Sequence, residues 1–271
     1  MRELKAVFSD LDGTLLRDDK SISANSKKAI YALKDQGIHF VIATGRGPMA
    51  VETVLEQIGF PVDMICYSGE YIERDGKKIF SNGFSFSEGL EIARFLDDII
   101  DVTYGAYSED MWISPKRTKE LEEEEALVRA KATIADIDIL GEDAIINKFL
   151  AISDPQRVDG IIDSMQKRFP SYEILKSLDY LVEINKGGHN KGTACQKYCE
   201  LSNIDPSNTL CFGDCYNDLG MLRLMPYACI MDNAPDDIKS EFFGDPNKPI
   251  IESNMQDGMY YELLRRGYIN G

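Results

Sequence analysis

The chain has 271 residues, of which 44% are hydrophobic and 28% charged, values typical of a globular protein with one large or two modest domains. No apolar run approaches the roughly 20 residues that a membrane span needs, and the N-terminus lacks the apolar stretch of a signal peptide, so we expect a cytoplasmic protein that does not bind membranes. The net charge of −16 argues against nucleic acid as a partner, and it means that an anionic substrate would need a local cation, a metal ion or helix N-termini.

The first 80 residues alternate between predicted strands and predicted helices. Apolar runs indicate strands at 4–8, 38–43 and 64–67, and helical segments at 23–36 and 48–58 separate them. This order predicts a parallel sheet with right-handed crossovers. Asp75-Gly76 then predicts a hairpin turn between two short strands.

Residues 83–186 have a different pattern, in which helices are mixed with pairs of strands. Helices are predicted at 87–100, 116–132 and 155–169, and strands at 103–107, 111–114, 147–153, 172–176 and 180–185. Such a mixture predicts an α+β unit with an antiparallel sheet.

The α/β alternation returns after Lys186-Gly187-Gly188. Helices are predicted at 191–201, 218–225 and 235–242, and strands at 209–212, 227–230 and 249–251. The fold class is therefore predicted to be α/β, with a doubly wound, Rossmann-like parallel sheet core formed by residues 1–82 and 187–271. In this prediction, residues 83–186 form an inserted α+β domain.

Two carboxylates follow the first strand in the motif Ser9-Asp10-Leu11-Asp12-Gly13-Thr14. Open α/β sheets place their chemistry at the carboxyl ends of strands, and Gly13 permits a sharp turn there. One aspartate can act as a nucleophile while the other carries protons, because their environments push paired carboxylates toward different roles. The alternative is an ordinary Asp-Gly turn after a strand.

Two further segments offer groups that bind anions. The strand at 38–43 ends in Thr44-Gly45-Arg46, where a hydroxyl and free backbone N–H groups would form an anion-binding corner at a helix start. A loop that uses glycine for its geometry is the alternative. Lys191 opens a helix, a position that the helix dipole disfavours for a cation, so compensation of a carboxylate or phosphate would explain it. An ordinary exposed lysine is the alternative.

A second pair of carboxylates ends the strand at 209–212, in Gly213-Asp214-Cys215-Tyr216-Asn217-Asp218. These aspartates lie four residues apart where a helix begins, and Mg²⁺ typically takes one or two carboxylates together with phosphate oxygens. Capping of the helix by Asn217 would explain that residue and leave Asp214 unexplained.

The order D-x-D-G-T, T-G-R, a lysine and G-D-x-x-N-D resembles the haloacid dehalogenase superfamily of phosphatases. The resemblance is to its Cof-type members, which carry an inserted type IIB α/β cap. It covers nearly the whole chain, including Met231-Asp232-Asn233-Ala234, where the family usually has M-G-N-A. It implies that Asp10 attacks phosphorus to form an aspartyl phosphate, and that Asp12 protonates the leaving group and then activates water.

The resemblance also implies how a metal and a substrate are bound. Mg²⁺ would bind Asp10, the Asp12 carbonyl and Asp214, with Asp218 nearby. Lys191 would neutralise Asp10 and the phosphoryl group in transfer. The implied phosphate and substrate contacts are Thr14, Thr44, Gly45, Arg46, Asn217 and the backbone of Asp12.

Three positions depart from the family pattern. Ser68-Gly69-Glu70 stands where N-G-A is frequent, Asp232 replaces a glycine, and His189-Asn190 precede Lys191 where small or hydroxyl residues are common. None of them is a predicted catalytic acid or the lysine, so the departures bear on substrate preference rather than on activity.

Other functions stay open on the sequence alone. Gly45-x-Gly47-x-x-Ala50, with Glu70 further on, matches a dinucleotide-binding fingerprint, but a dehydrogenase would leave the D-x-D motif and Lys191 unused. A phosphomutase of the same superfamily is a nearer alternative. A non-catalytic sugar-phosphate-binding protein on the same fold is another, although the intact Asp10 argues against it.

We therefore predict a cytoplasmic, Mg²⁺-dependent phosphomonoesterase of small phosphorylated metabolites, with sugar phosphates as the expected class, that is a monomer or a weak homo-oligomer. The metal and Lys191 would create a positive pocket in a negative protein.

The six cysteines include no C-x-x-C pair, which indicates reduced thiols. Cys195 and Cys199 lack a second pair that would complete a zinc site.

Overall fold

The computed structural model describes residues 3–271 and divides them into two compact units. One unit contains the described residues up to Arg46, together with Val51–Phe80 and His189–Gly271. The other contains Gly47–Ala50 and Ser81–Gly188. Strands and helices are numbered below in chain order through both units.

The first unit is built on an eight-stranded sheet in the order β16-β15-β14-β1-β2-β3-β4-β5. Its strands are β1 (Ala6–Ser9), β2 (His39–Ala43), β3 (Asp63–Cys66), β4 (Tyr71–Arg74), β5 (Lys77–Ser81), β14 (Thr209–Gly213), β15 (Ala228–Met231) and β16 (Ile250–Ile251). The strands from β16 to β3 are parallel, and β4 runs antiparallel to β3. Strand β1 is central, because it pairs with β2 on one side and with β14 on the other. Its carboxyl end therefore lies between the carboxyl ends of these two neighbours.

The helices associated with this sheet are α1 (Ala24–Asp35), α2 (Pro48–Ile58), α6 (Lys191–Ser202), α7 (Leu219–Leu224), α8 (Asp236–Phe242) and α9 (Gly258–Arg265). Helix α1 begins where the Ser23 side chain accepts a hydrogen bond from the Ser26 backbone N–H, and it buries Ile30 and Leu33 on one face. Chain reversal follows at Gly37, which has a φ of +70°.

All residues of β1 and β14 are buried, which explains their continuous apolar runs. On one face, Phe8 of β1 packs edge-on against Tyr198 of α6, with ring centroids 5.5 Å apart. Met221 and Ile238 bring α7 and α8 into the same cluster. The core thus packs α6 against β1.

The second unit has a six-stranded sheet in the order β12-β13-β11-β7-β8-β9, which is antiparallel except between β8 and β9. Its elements are β6 (Phe84–Ser85), α3 (Phe86–Asp97), β7 (Thr103–Ser108), β8 (Met111–Ser114), α4 (Lys119–Val128), β9 (Thr133–Ile134), β10 (Ile145–Ile146), β11 (Lys148–Ile152), α5 (Pro155–Arg168), β12 (Glu173–Leu178) and β13 (Leu181–Asn185). Apolar residues of α3 and α5, such as Ile92 and Val158, pack against Phe149 of β11. This unit is the α+β part of the fold.

The predicted α/β fold class is confirmed, and the differences are local. The helix predicted at 218–225 begins as a 3₁₀ turn over Tyr216–Asp218 and continues as α7. Helix α9 and the short strands β6, β9 and β10 were not predicted. Within residues 3–271, the helices are too short or too polar to cross a bilayer.

Candidate active site

The predicted nucleophile and the lysine meet at the carboxyl end of central β1. Asp10 directly follows this strand, and its backbone N–H donates to the carbonyl of Phe212 in β14 over 3.0 Å. Lys191 is the first residue of α6, and its Nζ donates to Asp10 Oδ1 over 2.5 Å. Lys191 is fully buried, and a buried ammonium group requires charged partners. Charge compensation, not exposure, therefore explains a lysine at this helix start.

Asp218 is the second partner of Lys191, and it organises the loop after β14. Its Oδ1 accepts from Lys191 Nζ at 2.7 Å, and its Oδ2 accepts from the backbone N–H groups of Asp214 and Cys215, both at 3.0 Å. Asp10, Asp214 and Asp218 each offer an oxygen within 4.8 Å of the others. Across residues 3–271, no other group of three or more histidine, cysteine or acidic side chains has metal-ligand spacing.

Three carboxylates around one ammonium group leave this centre with excess negative charge. Burial, with Asp218 close by, raises the pKa of Asp10 to about 8, although Lys191 acts in the opposite direction. Burial also raises the pKa of Asp214 to about 6, against the hydrogen bond from Thr14. Burial alone would lower the pKa of Lys191, but Asp10 and Asp218 outweigh it and raise that pKa. The centre therefore lacks positive charge.

The residues around Asp214 hold its carboxylate in place. Thr14 Oγ1 donates to Asp214 Oδ1 over 2.8 Å, and Asn233 Nδ2 donates to Asp214 Oδ2 over 3.1 Å and to the Gly13 carbonyl over 2.8 Å. Gly13 has a φ of +87°, and a Cβ at this position would lie 2.3 Å from Asp214 Oδ2. The glycine of the D-x-D-G-T motif is thus required by the approach of Asp214.

Asp12 lies in a different environment from Asp10. Its carboxylate accepts two hydrogen bonds from Arg46, at 2.8 Å from Nε and 2.7 Å from Nη2, and one from Lys20 Nζ at 2.7 Å. Partial burial opposes these bonds, but Arg46 and Lys20 outweigh it and lower the pKa of Asp12. The pKa values of the two aspartates of the motif are therefore displaced in opposite directions in the metal-free protein, with that of Asp10 raised and that of Asp12 lowered.

The Thr44-Gly45-Arg46 segment follows β2 in the same unit. Thr44 is buried, its backbone N–H donates to the Ile65 carbonyl over 2.8 Å, and its Oγ1 accepts from the Arg46 backbone N–H over 3.1 Å. These bonds fix the loop and aim the Arg46 side chain at Asp12. A direct role of Thr44 and Gly45 in phosphate binding stays a prediction.

The other two predicted substrate contacts, Asn217 and Thr14, differ in their surroundings. Asn217 is exposed in the 3₁₀ turn before α7, and its proposed contact with substrate stays a prediction. The Thr14 hydroxyl is hydrogen-bonded to Asp214, so its direct contact with substrate also stays a prediction. Sequence reasoning missed Lys20 and the role of Asn233 beside Asp214. The signal for Asn233 was its place in Met231-Asp232-Asn233-Ala234.

The donor set fits a hard divalent cation. Asp10, Asp214 and Asp218 supply carboxylate oxygens, which are the ligands that Mg²⁺ prefers, and the excess negative charge calls for a cation of charge two. Cys195 and Cys199 are both buried in the apolar core with their thiols free, and they form no such cluster.

Comparison with known proteins identifies the family of the chain. A family model of haloacid dehalogenase-like hydrolases matches residues 7–263. The chain belongs to this family, and it is a phosphatase of the Cof type within the haloacid dehalogenase superfamily. Membership sets aside the dehydrogenase alternative, because the D-x-D motif and Lys191 that it left unused are the features that the structure brings together.

Individual relatives are distant in sequence but match over nearly their full length. A Streptococcus pyogenes serotype M6 protein provisionally named as a phosphatase is 28% identical, with 97% of this chain and 98% of that protein aligned. The Bacillus subtilis 5-amino-6-(5-phospho-D-ribitylamino)uracil phosphatase YwtE is 26% identical, with 95% and 96% aligned. The crystal structure of TM0651 from Thermotoga maritima is 24% identical with a TM-score of 0.87 and 97% of each chain covered, which shows a common fold.

Proposed function

We propose that this protein is a Mg²⁺-dependent phosphomonoesterase that hydrolyses small phosphorylated metabolites through a phosphorylated Asp10. The observation that carries the proposal is the placement of Lys191 Nζ between Asp10 Oδ1 at 2.5 Å and Asp218 Oδ1 at 2.7 Å, with Asp214 beside them. This arrangement places a buried nucleophile candidate next to a fixed positive charge. An ordinary Asp-Gly turn after a strand does not require a buried ammonium group between two carboxylates.

Asp10 is the nucleophile in the proposed reaction. Its free carboxylate oxygen attacks phosphorus in line, the bond to the leaving oxygen breaks, and an aspartyl phosphate forms on the side chain. Lys191 stabilises the charge that spreads over the phosphoryl oxygens, because its position is fixed by two carboxylates before substrate arrives. Mg²⁺ held by Asp10, Asp214 and Asp218 would supply further positive charge to the same oxygens.

Asp12 is the proposed proton carrier. Hydrogen bonds from Arg46 and Lys20 keep its carboxylate ionised in the free protein, a state suited to taking a proton from the water that hydrolyses the aspartyl phosphate. Departure of the first alkoxide needs a proton on the same carboxylate. A dianionic substrate that draws Arg46 away from Asp12 would raise the pKa of Asp12, so that this carboxylate could take up the proton that it then donates to the alkoxide.

For the substrate, we propose a small molecule that carries its phosphate on a sugar or sugar alcohol. Three Bacillus subtilis relatives, YwtE, YitU and YcsE, are named as phosphatases of 5-amino-6-(5-phospho-D-ribitylamino)uracil, whose phosphate lies on a ribityl chain. These relatives are 24–26% identical to this chain, so they support the chemical class of the phosphate carrier. The six free thiols fit a reducing compartment such as the cytoplasm.

Phosphate release from a panel of phosphorylated compounds tests the proposal. The panel contains 5-amino-6-(5-phospho-D-ribitylamino)uracil, sugar phosphates and nucleotides, each with Mg²⁺ and with EDTA. We expect release from at least one sugar-type phosphate, dependent on Mg²⁺ and lost in Asp10→Asn. A rearranged phosphate ester without free phosphate would identify a phosphomutase instead. If no compound of the panel reacts, catalysis is refuted.

A further inference from the structure

Two of the positions that depart from the family pattern contact each other in the structure. Glu70 Oε2 lies 3.5 Å from His189 Nδ1, and the side chain of Glu70 is 3% exposed while that of His189 is 31% exposed. We propose that Glu70 and His189 form a positioning pair that holds the start of α6, and with it Lys191, in the geometry that phosphoryl transfer needs. This inference rests on the proposed function.

The segment that carries Glu70 is strained and fixed on both sides. After β3, Tyr67, Ser68 and Gly69 have φ values of +53°, +55° and +119°, and left-handed backbone is unfavourable for the two non-glycine residues. The backbone N–H groups of Tyr67 and Ser68 donate to the carbonyls of Arg46 and Thr44, both over 3.0 Å. Strain of this kind persists only where the surroundings determine the conformation, so this segment is a rigid support.

The same segment touches the start of α6 directly. A Cβ at Gly69 would lie 2.7 Å from the carbonyl oxygen of Asn190, so no other residue fits this approach without a shift. Asn190 caps α6, because its Oδ1 accepts from the backbone N–H groups of Gly192 and Thr193 at 2.9 and 3.1 Å. The support therefore reaches the residue immediately before Lys191.

His189 connects this support to the point where the chain leaves the first unit. Phe80 is the last residue of that unit before the insertion, and His189 is the first one after it. The centroids of the Phe80 and His189 rings lie 5.3 Å apart. Glu70, His189 and Phe80 thus form a chain of contacts across both connecting segments. The two glycines before His189 give the preceding link conformational freedom, and this chain of contacts begins immediately after them.

The expected consequence is an effect on turnover rather than on binding. Lys191 acts on the charge that develops during phosphoryl transfer, and small displacements of such a group lower the rate of the chemical step. We expect His189→Ala and Glu70→Ala each to lower kcat about tenfold while KM changes less than about twofold. The double variant should be no slower than either single one, because both substitutions break the same link.

The chain provides a matched control in its other histidine. His39 Nδ1 lies 3.0 Å from Asp63 Oδ2, with side-chain exposures of 29% and 8%, close to those of the first pair. His39 is the first residue of β2, so it lies at the amino ends of the parallel strands, whereas Asp10 lies at their carboxyl ends. His39→Ala should therefore lower the melting temperature by an amount similar to His189→Ala and leave kcat unchanged.

The experiment measures kcat, KM and melting temperature for the full-length wild type, the three alanine variants, the double variant, and His189→Gln and Glu70→Gln. Glutamine keeps a hydrogen-bonding group, so these two variants should retain most of kcat, and they keep the test valid if an alanine variant fails to fold. Wild-type kcat in the alanine variants, or losses that multiply in the double variant, would overturn the positioning pair. A wild type that releases no phosphate from any compound would instead overturn the proposed function.

Discussion

Replacement of Asp10 by asparagine should remove activity and stabilise the metal-free protein. Asp10 shares a buried centre with Asp214 and Asp218, and one ammonium group opposes the three carboxylates. Asparagine keeps the size of the side chain and an oxygen that accepts from Lys191, but it carries no charge. The variant therefore separates the cost of the charge from the loss of packing.

The size of the effect follows from the pKa of Asp10. The rise from the reference value of 3.8 to about 8 corresponds to roughly 6 kcal/mol as an upper limit. Water entry and relaxation reduce such values, so we expect about 1–3 kcal/mol of added stability at pH 7.5 in EDTA. For a chain of this size, that corresponds to a rise in melting temperature of roughly 2–10 °C.

The pH dependence has a defined sign. Because the folded-state pKa of Asp10 is raised, its contribution to stability is fully present below pH 3.8 and is lost as the pH rises through about 8. Wild type and Asp10→Asn should accordingly be similar in stability near pH 4 and diverge toward pH 8. Thermal unfolding in EDTA across this range measures the divergence, and phosphate release with Mg²⁺ measures the expected loss of activity of at least about 10⁴-fold.

Asp63→Asn is the matched control for Asp10→Asn. Asp63 accepts hydrogen bonds from Tyr198 and the Asp75 backbone N–H and pairs with His39, and these contacts lower its pKa despite its burial. The same substitution there should destabilise the protein at pH 7.5. An Asp10→Asn variant that is less stable than wild type in EDTA at pH 7.5, or one that retains turnover, would refute the charge argument or the nucleophile respectively.

Three further predictions follow from contacts of the same unit. Affinity for Mg²⁺, measured by calorimetry, should fall at least about fourfold between pH 7.5 and 5.5, because protons compete for Asp214, whose pKa is about 6. A constant affinity would contradict this. Thr14→Val should weaken Mg²⁺ binding about tenfold by the same assay while Thr14→Ser does not, since the hydroxyl of Thr14, and not its methyl group, donates to Asp214. Leu263→Ala, in the fully buried face of α9, should cost about 2–4 kcal/mol in denaturant unfolding with kcat retained, and a loss of kcat would contradict a purely structural role.

The strands of the α/β sheet could be predicted because burial on both faces requires continuous apolar runs, as in β1 and β14. Helix α9 could not be predicted in the same way. It starts at Gly258, directly after Asp257 in a left-handed conformation with a φ of +59°, and lacks an ordinary side-chain cap. Its stability comes from the tertiary packing of buried residues such as Leu263, and its Arg265 pairs at 2.6 Å with Glu252, which lies 13 positions earlier.

In the candidate site too, residues that follow a strand could be predicted, whereas contacts between residues far apart in the chain could not. Asp10 and Asp214 could be located because each directly follows an apolar strand, and parallel strands end at one edge. The partners of Asp12 could not be foreseen in full, because Lys20 lies in an irregular loop, where its φ is +64° and no periodic pattern indicates its direction. The contact between Glu70 and His189 depends in turn on the left-handed path of Tyr67 and Ser68.

The order of strands has a consequence for synthesis on the ribosome. The neighbours of β1 are β2, which follows about 30 residues later, and β14, which follows about 200 residues later. At typical translation rates, one hydrogen-bonding edge of β1 stays unpaired for roughly 10–40 seconds while the residues between β1 and β14 are made. During that interval Asp10 lacks Lys191, its hydrogen-bond partner in the folded protein, and the unpaired strand edge is a site where chaperones or misassembly compete with folding.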